Sequence, residues 1–182
     1  MNLTAPMFTA DILHLAAQTK MVFFDVDGVL TDGGIYIGEH GEVIKRFHVL
    51  DGHGIQQLQR AGLLLVVISG RDSAALRVRL SALGLSNCHL GAENKYPAAQ
   101  RALDEAGFTW AQAAAIGDDW PDLPVLRRCG FSCAPPNAHS EVIAQVDYVT
   151  AKKGGEGAAR EFCDLLLHAT GHYEALLQQA SA

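Results

Sequence analysis

A chain of 182 residues, 49% hydrophobic and 19% charged, is long enough to bury one sizeable core and short for two, so a single domain over residues 1–182 is expected. Its formal net charge of −6 leaves no electrostatic footprint for nucleic acid, and no basic amphipathic stretch suggests a membrane surface. The first lysine is Lys20, so no cationic patch precedes the apolar positions of residues 1–20, and no apolar run approaches a membrane span; a cytoplasmic location is expected.

Along the chain, Ile12, Leu13, Leu15 and Ala16 predict a short amphipathic helix within an N-terminal extension of residues 1–20. The apolar run Met21 to Phe24 predicts the first strand. Two short β-prone stretches between Gly34 and Phe47 flank Gly38-Glu39-His40-Gly41, which predicts a projecting hairpin, bounded as residues 33–48. Further strands are predicted at Leu63 to Ile68, briefly near His89, and at Ala113 to Ile116, Phe131 to Ala134 and Tyr148 to Thr150. Between them fall helical patterns at Gly54 to Arg60, Ser73 to Leu83, Tyr96 to Ala106, Pro121 to Arg128, Ser140 to Gln145 and Gly155 to His168. Such alternation implies an α/β fold, a Rossmann-like parallel sheet with helices on both faces. The tail, residues 173–182, has no pattern from which structure can be read. Cys88, Cys129, Cys133 and Cys163 form no CxxC pair and sit in apolar stretches, as buried thiols do.

Four segments carry chemistry. Asp25-Val26-Asp27-Gly28 sets two carboxylates just after the first strand, where open α/β sheets gather ligands. Alternation along an extended chain would aim both the same way, but Gly28 breaks the strand and lets the second turn aside. One can then attack phosphorus while the other handles a proton; the plain alternative is an acidic turn, since Asp-Gly is ordinary turn chemistry. Ser69-Gly70-Arg71 ends the second strand with a small hydroxyl and a free N–H, suited to phosphate oxygens, unless it is a simple loop capped by Ser73. Lys95 opens a helical pattern, where an ammonium can reach the same cluster or lie on the surface. Gly117-Asp118-Asp119-Trp120-Pro121-Asp122 again puts acids after an apolar run. Asp25, the backbone carbonyl of Asp27, and Asp118 offer the oxygen ligands that Mg²⁺ takes. Of the scattered histidines, only His53 is near enough to a Gly-rich turn to be a site candidate.

In this order and at these strand ends, Asp25-x-Asp27-Gly28-x-x-Thr31, Ser69, Lys95 and Gly117-Asp118-Asp119-x-x-Asp122 resemble the four motifs of the haloacid dehalogenase superfamily. Gly28-Val-Leu-Thr31-Asp32-Gly33, Asp51-Gly-His-Gly54-Ile55, Ser69-Gly-Arg71, Leu83-Gly84 and Gly154-Gly-Glu-Gly157-Ala-Ala-Arg160-Glu161 narrow the resemblance. Over about residues 21 to 170 the chain is similar to the branch without a cap domain that hydrolyses 3-deoxy-D-manno-octulosonate 8-phosphate. This resemblance implies Mg²⁺ dependence, a homotetramer, and a place in making the inner sugar of lipopolysaccharide. It implies Asp25 as nucleophile, Asp27 as general acid/base, and Ser69 and Lys95 as the phosphoryl clamp. Asp25, Asp27 and Asp118 would hold the metal, with Asp119 in its outer shell.

The intervals between motifs are too short for a cap, which a small domain of ~50 residues would fill. A lone core leaves its site wet, so neighbouring protomers are expected to roof it, with the hairpin packed between subunits. Gly70, Arg71 and Arg79 are the candidates for substrate contact, the guanidinium groups for its carboxylate, with Arg160 a weaker one. Arg71 favours an eight-carbon substrate, because related nine-carbon sugar-acid phosphatases carry an acid at its place in the family pattern. The alternatives are a phosphatase for a nine-carbon sialic-type acid 9-phosphate and a non-catalytic tetramerisation module.

Overall fold

The computed structural model describes residues 8–181, so the expected N-terminal extension is seen only from Phe8 onward. Helix α1 (Ala10–Ala16), capped by the Thr9 hydroxyl, leads into β1 (Met21–Phe24). A hairpin of β2 (Tyr36–Gly38) and β3 (Gly41–Ile44) follows, then α2 (Val49–Arg60), β4 (Leu64–Ser69), α3 (Ala74–Ala82), β5 (Cys88–Leu90) and α4 (Tyr96–Ala106). The second half runs β6 (Ala113–Ile116), a 3₁₀ turn at Trp120–Asp122, α5 (Leu123–Leu126), β7 (Phe131–Ala134), α6 (Ser140–Ile143), β8 (Tyr148–Val149), α7 (Ala158–Ala169) and α8 (Tyr173–Ala180).

Six strands form one sheet in the order β5-β4-β1-β6-β7-β8, all pairs parallel. The α/β expectation with helices on both faces is met. Met21 and Phe23 point into one core with Val66, Ile68, Ala113 and Ala115, while Val22 and Phe24 point into the other with Leu65 and Val67. Both faces of each central strand are thus apolar, the signature of a parallel sheet covered twice. On one side Phe162 of α7 packs edge-on to Phe24 and stacks on Phe131, and burial of one such ring contributes roughly 1.5–3 kcal/mol.

Chain direction places the site. From β1 the chain winds outward to β4 and β5 on one side, then returns to β6 on the other, so the order reverses at β1. Ligands in open α/β sheets bind in the crevice at the carboxyl ends of strands at such a point, and Asp25 is the first residue past β1.

Three elements differ from the sequence reading. Helix α2 begins at Val49, five residues before the expected start at Gly54, despite two glycines in its first turns. A Cβ at Gly52 would stand 2.2 Å from the Arg79 guanidinium, and one at Gly54 would meet Arg160 and Cys163 of α7 at 3.0 Å. Close packing against α3 and α7 outweighs the poor helix propensity of glycine, about 1 kcal/mol per residue. The helix expected over Pro121 to Arg128 is split into the 3₁₀ turn and α5. The tail is helical: α8 packs back on α7, with Tyr173 stacked on His168 at 3.8 Å between ring centroids.

Candidate active site

Past β1 the chain turns tightly about one carbonyl. The Val26 oxygen accepts the N–H groups of Val29, Leu30 and Thr31, and the buried Thr31 hydroxyl accepts from Gly28 and Gly33. Gly28 has φ +91°, and a Cβ there would lie 1.9 Å from an Asp118 carboxylate oxygen. Only glycine therefore lets the two acidic strand ends approach. Asn137 ties the turn to the loop after β8, donating to the Gly28 carbonyl at 3.2 Å and accepting from the Gly154 N–H at 2.8 Å.

Lys95, at the start of α4, sends its ammonium into this turn. It donates to Asp25 Oδ1 and, at 2.6 Å, to Asp122 Oδ1, and it is 6% exposed. Asp122 in turn accepts the Asp118 and Asp119 N–H groups through Oδ2, at 3.0 and 3.1 Å. Gly117 is required here because a Cβ would sit 2.4 Å from the Asp122 carboxyl carbon. Asp119 caps the 3₁₀ turn by accepting the Trp120 N–H at 2.8 Å.

From β4, the buried Ser69 hydroxyl accepts the Arg71 N–H at 3.2 Å, which leaves its own proton free to donate. Asp25, Asp27, Ser69, Gly70, Arg71, Lys95, Asp118, Asp119 and Asp122 all line one concave space of about 530 Å³, together with Glu93 and Pro121. A larger cleft of about 850 Å³ lies along the edge strand β5, between α3 and α4, but no carboxylate lines it. Convergent titratable groups, rather than size, single out the first.

The electrostatics of the cluster are unbalanced. Burial raises the Asp25 carboxyl well above the usual carboxylate range, with Asp122 adding to the effect and Lys95 opposing it. Burial and Asp122 raise Asp118 to about 7. Burial alone would lower Lys95, but Asp25 and Asp122 outweigh it and hold the ammonium charged. Oxygens of Asp25, Asp118 and Asp122 lie within 4.8 Å of one another, and the Lys95 ammonium pairs with two of the three, Asp25 and Asp122. A cluster short of positive charge, built of hard oxygens, fits a divalent cation such as Mg²⁺.

The clustered side chains are those of Asp25, Asp118 and Asp122, whereas the expected metal set takes the backbone carbonyl of Asp27 with Asp25 and Asp118. The Asp27 carboxylate turns aside to Lys45, 2.5 Å away at the foot of the hairpin, with Arg71 Nε 3.9 Å from its other oxygen. Both Asp122 oxygens are already engaged by Lys95 and the backbone. Asp122 belongs to the quoted fourth motif, where it was given no role. Lys45 carried no signal, being 18 residues from Asp27 in a hairpin read only for assembly.

Arg79, Arg160 and His53 are not among the residues lining this space. Arg79 lies over the Phe47 ring and donates to the His48 carbonyl at 3.4 Å, with its Nε, His48 Nδ1 and Asp51 Oδ2 all buried and unpartnered. Arg160 grips both Asp164 oxygens from Nε, and its Nη1 lies 3.3 Å from His53.

Comparison with known proteins agrees with this geometry. Residues 91–162 match the haloacid dehalogenase-like hydrolase family. The 3-deoxy-D-manno-octulosonate 8-phosphate phosphatase of Haemophilus influenzae is 46% identical over 152 residues, 84% of each chain. That of Escherichia coli K12 is 39% identical over 163 residues, 90% of this chain and 87% of its own. Among solved structures, the phosphatase of the same name from Moraxella catarrhalis, in complex with a magnesium ion, a phosphate ion and a KDO molecule, superposes with a TM-score of 0.90 at 37% identity. It covers 94% of this chain and 99% of its own. The Yersinia pestis enzyme gives 0.88 at 39% identity, with 91% and 89% covered.

Proposed function

Since the chain belongs to the 3-deoxy-D-manno-octulosonate 8-phosphate phosphatase family of haloacid dehalogenase-like hydrolases, we propose that its site hydrolyses that sugar phosphate to the free acid and phosphate, with Mg²⁺ as cofactor. The observation that carries the reading is Lys95, one ammonium held between Asp25 at the end of β1 and Asp122 beyond β6. It joins two acidic strand ends around the place a phosphoryl group would take.

Asp25 is the nucleophile. Lys95 occupies its Oδ1, so Oδ2 is the oxygen left to attack phosphorus, making an aspartyl-phosphate as the ester bond breaks. Asp27 gives its proton to the departing sugar alkoxide. It then takes one from the water that cleaves the intermediate, a role that contributes on the order of 10²–10⁴-fold. Ser69 and the Gly70 N–H donate to the phosphoryl oxygens, and Lys95 balances their charge. Asp25, Asp118 and the Asp27 carbonyl would hold Mg²⁺, which supplies further neutralisation of the charge on those oxygens. Asp119 shapes the loop that carries Asp118 and stands in the outer shell. Arg71, half-exposed at the pocket wall, reads the substrate carboxylate. Arg79, its own Nε buried and unpartnered along with His48 Nδ1 and Asp51 Oδ2 at the start of α2, is the second candidate for that contact.

The hairpin supports assembly as a homotetramer. Ile35, Tyr36, Ile37, Val43 and Ile44 are all exposed on it, and Val49 and Leu50 continue the apolar surface. Large contiguous apolar patches mark interaction sites, and here a second copy would both cover the patch and narrow the wet site. Among the described residues no helix is long and apolar enough to cross a membrane. We place the enzyme in the cytoplasm, supplying the inner sugar of lipopolysaccharide.

Phosphate release from 3-deoxy-D-manno-octulosonate 8-phosphate, beside a nine-carbon sialic acid 9-phosphate and with or without chelator, tests the reading. Chelator-sensitive turnover of the eight-carbon substrate is expected. Preference for the nine-carbon acid would overturn the role given to Arg71, and turnover of neither would remove the enzyme reading altogether.

A further inference from the structure

Lys45 is the least accounted-for charge near the site. It follows β3 directly, at the foot of a hairpin whose apolar side chains are exposed, yet its own side chain is 1% exposed. A lysine loses its stem entropy and its hydration when buried, so it stays inside only where partners compensate. Its partners are two carboxylates: Asp27 Oδ1 at 2.5 Å and Glu42 Oε2 at 3.3 Å. Glu42 itself is nearly enclosed, with Oε1 buried and unpartnered, so the pair forms a built cradle rather than a chance surface contact.

We propose that Lys45 is a positioning residue for Asp27: by taking Oδ1 it fixes the carboxyl rotamer and leaves Oδ2 as the one oxygen that exchanges protons with the leaving group and the hydrolytic water. Oδ2 is the oxygen facing Arg71 Nε, at 3.9 Å, and Asp27 lines the pocket with Arg71. The inference rests on the general acid/base role given to Asp27 above. In the first half-reaction the Asp25–phosphorus bond forms, the bond from phosphorus to the sugar oxygen breaks, and the Oδ2 proton moves to that oxygen. In the second, a water proton returns to Oδ2 as the water oxygen attacks phosphorus and Asp25 is released. Neither half-reaction consumes Lys45.

Glu42 holds the far side of the ammonium and stands opposite Ile37 in the hairpin. The Asp27 rotamer is therefore tied to the element that carries the exposed apolar patch.

Leaving-group dependence separates positioning of an acid from general structural damage. A sugar alkoxide needs a proton to depart, whereas p-nitrophenolate departs without one. With saturating Mg²⁺, Lys45→Met is expected to slow phosphoenzyme formation, read as single-turnover release of the leaving group, on the order of 10²-fold with the sugar phosphate, as misplaced catalytic groups do, and by less than about threefold with p-nitrophenyl phosphate, while the water step that the two substrates share slows alike for both. Lys45→Arg, which keeps a cation on Oδ1, should recover most of the loss. Should Lys45→Met not fold, as judged by circular dichroism, Lys45→Gln gives the same comparison. Equal losses in that first step on both substrates, or no loss, would overturn the assignment of Lys45 while leaving the phosphatase reading intact. A wild-type enzyme inactive on the sugar phosphate would instead remove the reading on which it rests.

Discussion

Gly28 is where two distant pieces of sequence meet, since its missing Cβ is the space that an Asp118 oxygen fills. At φ +91°, alanine there would strain the backbone by about 1–2 kcal/mol and push Asp118 off Asp25. Gly28→Ala is expected to leave a folded protein whose kcat falls on the order of 10²-fold, as a misplacement of about 1 Å can cause. Steady-state kinetics at saturating Mg²⁺ checks this. Asp25→Asn is expected to lower turnover by at least about 10⁴-fold, as loss of a nucleophile does, and to abolish the phosphoenzyme that mass spectrometry would detect after acid quench of the wild type. Full turnover by that variant would exclude an aspartyl-phosphate. At this scale the sequence is informative where chemistry follows an apolar run: Asp25, Ser69 and Asp118 each lie at or just past a strand end, and Lys95 at a helix start. It is silent on Lys45, because only the path of the hairpin brings that ammonium to Asp27.

Elements were legible in proportion to their burial. The central strands β1 and β6 are unbroken apolar runs and β7 is interrupted only by Ser132; their observed bounds are those expected, as are those of α4, which ends at a left-handed Gly107. The first turns of α2 were hidden because Gly52 and Gly54 are selected by what they pack against, not by helix propensity. Helix α8 has no buried residue and so no strong apolar face to betray it. The hairpin is the element with the most unmet apolar surface: Ile37 is 69% exposed and Val43 56%. Placing glutamates there should cost the folded subunit little, since surface changes are usually within about ±0.5 kcal/mol. It should cost an assembly much. If the proposed tetramer packs on the hairpin, Ile37→Glu with Val43→Glu is expected to give a monomer by light scattering, with kcat/KM lower by about tenfold or more for want of the neighbouring subunit's cover. A tetramer that survives both changes would move the interface off the hairpin.

Across the whole molecule, a chain of net charge −6 lines one pocket with Arg71 and Lys95, and of the three carboxylates clustered there Lys95 pairs with two, Asp25 and Asp122. Without metal, the folded protein therefore favours protonated Asp118, at about 7, and protonated Asp25, while the unfolded chain ionises both near 3.8. From about pH 4 to 7 the folded state binds more protons than the unfolded one, so stability of the metal-free protein falls as pH rises through that window. Mg²⁺ works in the opposite direction, because it binds the ionised carboxylates and finds them assembled only in the folded state. At a hundredfold excess over its dissociation constant it would stabilise by about 2.7 kcal/mol, or roughly 5–10 °C in Tm for a chain of this size. Scanning calorimetry should show that increment near pH 8 and a smaller one at pH 6, where proton and cation compete for the same oxygens. Asp118→Asn should flatten the pH slope of the metal-free protein and remove most of the Mg²⁺ increment together. An increment that ignores pH, or that survives Asp118→Asn, would mean that the cation binds somewhere other than the junction of β1 and β6.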